Sequence, residues 1–205
     1  MVAFSKQARA IRQPKVYTFE EYLRREEKAV EKHEFYNGEI IRRTRVTHIQ
    51  SEIAANLMAS IKITVRLLPK KFRVYNSELK IHIEPSNSGI YPDAIVVCKE
   101  PQFWENRRDV ILNPLLIVEV LSPSTQTHNR LGKFELYKQL PSFQEYVLVN
   151  TDKHSVETRF QEETDLWRIK TETNIENTVT LRSLGVSISM ADIYEDIISP
   201  LKKVK

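Results

Sequence analysis

The chain has 205 residues, enough for one domain with a substantial core, and its 41% hydrophobic and 28% charged content is that of an ordinary globular protein. No apolar run approaches the roughly 18 residues of a membrane-spanning helix, and the single cysteine, Cys98, excludes an internal disulfide or a zinc cluster built on thiolates. A net charge of +4 permits a polyanionic partner without demanding one; the opening MVAFSKQARAIRQPK lacks a secretory apolar segment, so the cytoplasm is the expected compartment.

Residues 1–16 read as a flexible leader, 17–198 as a single domain and 199–205 as a basic tail. Thr18 and Glu21 have capping-box spacing, and a helical period through residue 33 puts Phe19, Tyr22, Leu23 and Val30 on one side. Asn37-Gly38 between two short apolar runs predicts a hairpin. Ile49, Ile53, Leu57, Ile61 and Leu68 predict a helix over 48–68, stopped by Pro69. Arg42, Arg43 and Arg45 form a local basic cluster, but no aromatic residues interleave it as in a base-stacking platform.

Strand patterns follow. In "FRVYNSELKIHIE", Leu79, Ile81 and Ile83 alternate with polar residues, the period of a half-buried strand. "GIYPDAIVV" enters an apolar run through Pro92-Asp93, and "LLIVEVL" is the next strand. The helical "HNRLGKFELYKQL" and the strand "EYVLVN" then complete a strand–helix–strand unit, which predicts a right-handed parallel crossover. "SVETRFQ", "LWRIKTE" and "TVTLRS" read as short antiparallel strands, with a last helix starting near Met190. The expected fold is α/β, a mixed sheet with flanking helices and a small antiparallel extension.

Glu119 stands out because it interrupts "LLIVEVLSPS", the least polar stretch of the chain. An isolated carboxylate taken out of water costs several kcal/mol, so it must be neutralised, paired or bound to a cation. Asp93 begins the preceding long strand, and if the two strands are neighbours the carboxylates converge. A hard cation such as Mg²⁺ or Mn²⁺ would relieve their repulsion. Asn129, Lys133 and Tyr137 fall on one helical stripe, from which Lys133 could orient a water or neutralise phosphate charge. Spacing leaves two readings open: a shared metal site, or a structural ion pair of Glu119 with Lys133 or an arginine, with Asp93 serving the turn.

The remaining reactive residues point elsewhere. His33 and His48 have no partner at metal-ligand spacing, His128 either sits near the proposed site or simply begins the helix, and Cys98 ends an apolar strand as a small packed residue. Ser122 and Ser124 lack a nucleophile-elbow pattern, and the four glycines form neither a P-loop nor a dinucleotide fingerprint.

The successive blocks "YTFEEYL", "EKHEFYNGEI", "SELKIHI", "YPDAIVV", "LLIVEVLSPST", "KFELYKQLPSFQEYVLV" and "LGVSISMADIYE" resemble, in order, those of the Uma-two family over residues 16–196. The resemblance implies the restriction-endonuclease-like PD-(D/E)XK fold, with acids that bind Mg²⁺ or Mn²⁺ for phosphodiester hydrolysis in nucleic acid, DNA foremost. It puts the first motif acid on Asp93 and the second on Glu119, the two metal ligands. The motif lysine two residues later is Leu121 here, so the resemblance is to a migrated-lysine version supplied by Lys133. Asn129-Arg130 replaces an Asp-Arg pair typical of relatives. Glu34 matches a further family acid and is a candidate additional ligand, with a strand-edge ion pair as its other reading; Glu78 also has an acidic counterpart but fits a solvated strand face. A homodimer is compatible with cutting both strands of a duplex. Leu121 and Asn129 favour the rival reading, a catalytically decayed nucleic-acid-binding or interaction protein on the same scaffold.

Overall fold

A capping box starts the first helix, α1 (Phe19–Glu26): the Thr18 hydroxyl accepts the Glu21 amide at 3.1 Å, and the Glu21 carboxylate accepts the Thr18 amide at 3.0 Å. The structure, a computed structural model, describes residues 15–122 and 128–197, the side chains of 128–130 excepted. The leader, apart from Lys15 and Val16, and the basic tail therefore lie outside the described residues. α1 buries Phe19, Tyr22 and Leu23 but ends well short of residue 33, and Val30 is fully exposed. Beyond Leu23 the sequence runs Arg-Arg-Glu-Glu-Lys, so no apolar stripe remains to hold a longer helix on the core. The Glu26 carboxylate instead accepts the His33 amide at 2.9 Å where the chain turns into β1.

β1 (His33–Tyr36) and β2 (Glu39–Arg42) form the hairpin expected from Asn37-Gly38, whose φ angles of 45° and 97° are those of a primed turn. A Cβ on Gly38 would collide with the Val16 side chain, and φ there is positive. Gly38→Ala is therefore expected to lower stability by more than about 1 kcal/mol, read by urea unfolding.

A second capping box, Thr47 with Gln50, opens α2 (His48–Val65), which buries Ile53, Leu57, Ile61 and Val65 along one stripe. The stretch read as one alternating strand around Leu79–Ile83 is instead two strands in different sheets. β3 (Phe72–Asn76) joins the larger sheet and β4 (Lys80–Ile83) the smaller. All four residues of β4 are buried, Lys80 being paired with Asp109 at 2.7 Å and His82 stacked on Phe19. The hydrophobic period alone could not show that both faces would be covered.

The remaining strands are β5 (Ser88–Ile90), β6 (Ala94–Cys98), β7 (Val110–Ile111), β8 (Leu116–Leu121), β9 (Glu145–Asn150), β10 (Val156–Glu163), β11 (Leu166–Glu172), β12 (Thr178–Leu181) and β13 (Val186–Ser189). The larger sheet has the order β11-β10-β9-β8-β6-β3 and the smaller β2-β1-β5-β4-β7, while β12 and β13 pair separately. In the larger sheet only β8 and β9 run parallel; the connection between them carries a π-helical turn, His128–Lys133, continued by α3 (Phe134–Tyr137). α4 (Met190–Ile193) closes the described chain. No helix among the described residues is long and apolar enough to cross a membrane.

Alternation along β8 divides the core. Leu116, Val118 and Val120 pack with Ile53, Leu57 and Ile61 of α2. Ile117 and Leu121 pack with Phe134 and Tyr137 of α3 and with Ile81, Ile83 and Ile90 of the smaller sheet. Glu119 lies between Ile117 and Leu121 on this second side, at the seam of the two sheets.

Candidate active site

Strand pairing brings the two candidate acids, Asp93 and Glu119, together. β6 runs antiparallel to β8 with Ala94 opposite Val118, and the Asp93 amide donates to the Val118 carbonyl at 3.1 Å. Asp93 thus stands across from Glu119. Its Oδ2 accepts the Val120 amide at 2.7 Å and its Oδ1 accepts Arg43 Nη2 at 2.7 Å. Gln50, in the first turn of α2, donates to the Val120 carbonyl at 3.1 Å and ties that helix to the same stretch of β8.

Glu119 is 1% exposed, and its Oε1 accepts Tyr137 Oη at 2.9 Å and Lys133 Nζ at 3.1 Å. Lys133 and Tyr137, four residues apart, reach it from one stripe of the helical segment. The same ammonium donates to Glu34 Oε1 at 2.9 Å. Glu34, on β1, also accepts Tyr36 Oη at 2.6 Å and the Tyr91 amide at 3.3 Å. Leu121, where the resemblance would put a motif lysine, is fully buried against the α3 side of the core. Lys133 enters that side from the helical segment above it.

One ammonium serves two carboxylates, and they differ in how well each is supported. Burial disfavours the Glu34 anion, but Lys133 and the Tyr36 hydroxyl outweigh it and hold its pKa below the ordinary value. For Glu119 burial dominates: Lys133 offsets only part of it, Asp93 and Glu34 repel the charge, and its pKa rises to about 7. Lys133 stays cationic, because Glu119 and Glu34 together overcome its own desolvation. Arg43 is likewise buried yet held charged, chiefly by Asp93. The cluster therefore sets three carboxylates against two cations, and proton uptake by Glu119 relieves the surplus.

The structure joins Asp93, Glu119, Lys133 and Glu34 in this one network. The arginine cluster does not act as a unit. Arg42 pairs with Glu31 at 2.5 Å and Arg45 is 85% exposed, whereas Arg43, in sequence one member of a local basic cluster, turns inward with a side chain only 13% exposed. Sequence reasoning missed Arg43 and Gln50 for one reason: a strand-end arginine and a helix-capping glutamine have sufficient local explanations. Glu78 lies in the turn after β3, exposed and paired with Lys32 at 2.6 Å. His33 pairs with Glu26 at 3.1 Å, His48 is exposed at the start of α2, and the side chains of His128 and Asn129 lie outside the described residues.

A cleft of about 490 Å³ opens on the Asp93 side, between the β2–α2 connection and the β3–β4 turn, with Arg43, Arg45, Gln50, Ser51 and Asn76 among its walls. Among the described residues no three His, Cys, Asp or Glu side chains are grouped to hold a metal ion. Mg²⁺ needs fewer, since it commonly takes one or two carboxylates and fills its other positions with water or phosphate oxygens. The oxygen donors and the buried surplus of negative charge fit such a cation.

The chain is 36% identical over 148 residues to the uncharacterized protein sll1609 of Synechocystis sp., covering 70% of this chain and 80% of that one. It is 33% identical over 178 residues to the uncharacterized protein slr1290 of the same organism, covering 87% and 91%. A crystal structure from Anabaena variabilis, described as "a putative nuclease belonging to DUF820", superposes with a TM-score of 0.68 at 20% identity, covering 87% of this chain and 97% of that chain; the two share a fold. The family model described as "Putative restriction endonuclease" matches residues 19–191, a span that holds both acids, Glu34 and Lys133, and the chain belongs to this family, Uma2.

Proposed function

We propose that the protein is an endonuclease that hydrolyses phosphodiester bonds of nucleic acid, DNA foremost, with Mg²⁺ or Mn²⁺ held by Asp93 and Glu119. The observation that carries this reading is the pair of acids on adjoining strands, in a buried cluster with one negative charge in excess, beside a cleft of about 490 Å³ that Asp93 lines. When bound, the cation would acidify water and shield phosphate charge. The Val120 amide and the Tyr137 hydroxyl fix the two carboxylates. Lys133, cationic at neutral pH, has no site to accept a proton, so its part is electrostatic: it stabilises charge gathering on the phosphate. Glu34, with Tyr36 and the Tyr91 amide behind it, positions that ammonium. A cytoplasmic homodimer would suit cleavage of both strands of a duplex.

Calorimetry with Mn²⁺ tests the site. Asp93→Asn is expected to lose measurable binding while circular dichroism stays that of the parent; binding at parent affinity would remove Asp93 from the metal site. A second reading, a noncatalytic nucleic-acid-binding protein, is favoured by one observation: Asp93 and Glu119 each already hold a protein cation. On that reading the parent binds Mn²⁺ no better than scattered surface carboxylates do.

A further inference from the structure

We infer that Arg43 is a built-in competitor for the metal: its guanidinium stands in for a cation at Asp93, and metal loading requires it to withdraw into the cleft. The inference rests on Asp93 being a metal ligand, and it adds a residue that positions and gates that ligand. Three features of the geometry carry it. First, Arg43 Nη2 lies 2.7 Å from Asp93 Oδ1, the oxygen left over once the Val120 amide has taken Oδ2. A cation approaching Asp93 meets the guanidinium first.

Second, the pair is nearly closed off from water, with side chains 13% and 10% exposed, and Arg43 also feels the charges of Glu119 and Glu34. In the metal-free protein it is thus part of what makes three close carboxylates tolerable. Third, Arg43 has somewhere to go. It opens the irregular 43–47 connection between β2 and α2, and it lines the cleft together with Thr44, Arg45 and Ser51. A guanidinium displaced by metal would enter that cleft, where a phosphodiester backbone would meet it as a bidentate donor. Lys133 cannot move in this way, being fully enclosed between Glu34 and Glu119.

The test is Mn²⁺ calorimetry on the parent, Arg43→Gln and Arg43→Lys, with no nucleic acid present. An opposite charge within about 4–6 Å changes a carboxylate's proton affinity by roughly ten- to a thousandfold, and a metal faces the same competition. Arg43→Gln is therefore expected to bind Mn²⁺ at least roughly tenfold more tightly than the parent, and to gain more thermal stability from saturating metal. Arg43→Lys, which restores the charge, should return affinity toward the parent's; a purely packing role for Arg43 would give no such charge-dependent recovery. Equal or weaker binding by folded Arg43→Gln overturns the inference while leaving the metal site intact. No binding by any of the three proteins overturns both. Should Arg43→Gln fail to fold, Arg43→Met, which also removes the charge, takes its place, and equal or weaker Mn²⁺ binding by the folded Arg43→Met protein overturns the inference.

Discussion

Replacing Lys133 with methionine is expected to lower Mn²⁺-dependent plasmid nicking about a hundred- to a thousandfold, the effect of removing one preorganised charge donor from a reacting centre. It should also weaken the fold. Lys133 is enclosed between Glu34 and Glu119, and breaking a buried ion pair by removing one partner costs roughly 3–5 kcal/mol. The loss should be largest near pH 8, where both carboxylates are charged in the parent. It should shrink near pH 6, where Glu119, with its pKa already raised to about 7 and raised further without the ammonium, takes up a proton. Urea unfolding of parent and variant at the two pH values reads the stability effect, and nicking assayed below the variant's unfolding transition reads the catalytic one. Equal nicking by both proteins would remove Lys133 from the mechanism.

Glu119→Gln should do the reverse to stability while abolishing metal binding. Neutralising Glu119 leaves Asp93 and Glu34 facing Arg43 and Lys133, two charges of each sign, and the glutamine oxygen can still accept from Tyr137 and Lys133. The sign of the pH effect follows from linkage. The folded pKa, about 7, lies above the ordinary 4.5. The protonated side chain therefore contributes stability that is complete below about pH 4.5 and is lost as pH rises through 7. Glutamine stays neutral throughout. The metal-free variant should match the parent near pH 5 and exceed it near pH 8, and Mn²⁺ should stabilise only the parent. A variant that unfolds at both pH values would show that Glu119 serves as a structural anion instead.

Much of the frame was legible in the chain itself. The Thr18 and Thr47 capping boxes, the Asn37-Gly38 hairpin and the apolar stripe of α2 rest on contacts within a few residues, where spacing and chemistry determine the outcome. The α1 boundary was not legible, because a loose apolar period ran on to Val30 and only the turn into β1 ended it. Nor was the division of β3 from β4, since both faces of β4 are covered by elements remote in sequence.

The site divides in the same way. Glu119 announced itself by composition, as an acid inside an apolar strand, and the four-residue spacing of Lys133 and Tyr137 put those two on one helical stripe. Which charges it would meet was a matter of sheet order. The antiparallel β6–β8 pairing sets Asp93 opposite it, and the smaller sheet delivers Glu34 to the far side of Lys133. Arg43 shows the limit most directly: 50 residues separate it from Asp93, and beside Arg42 and Arg45 nothing local distinguishes it. Local sequence determined which groups were available, because caps, turns and helical stripes depend on neighbours along the chain. Only the tertiary structure decided which of them would be charged, paired and enclosed together, because electrostatics in a buried cluster depends on distance through space and on the exclusion of water.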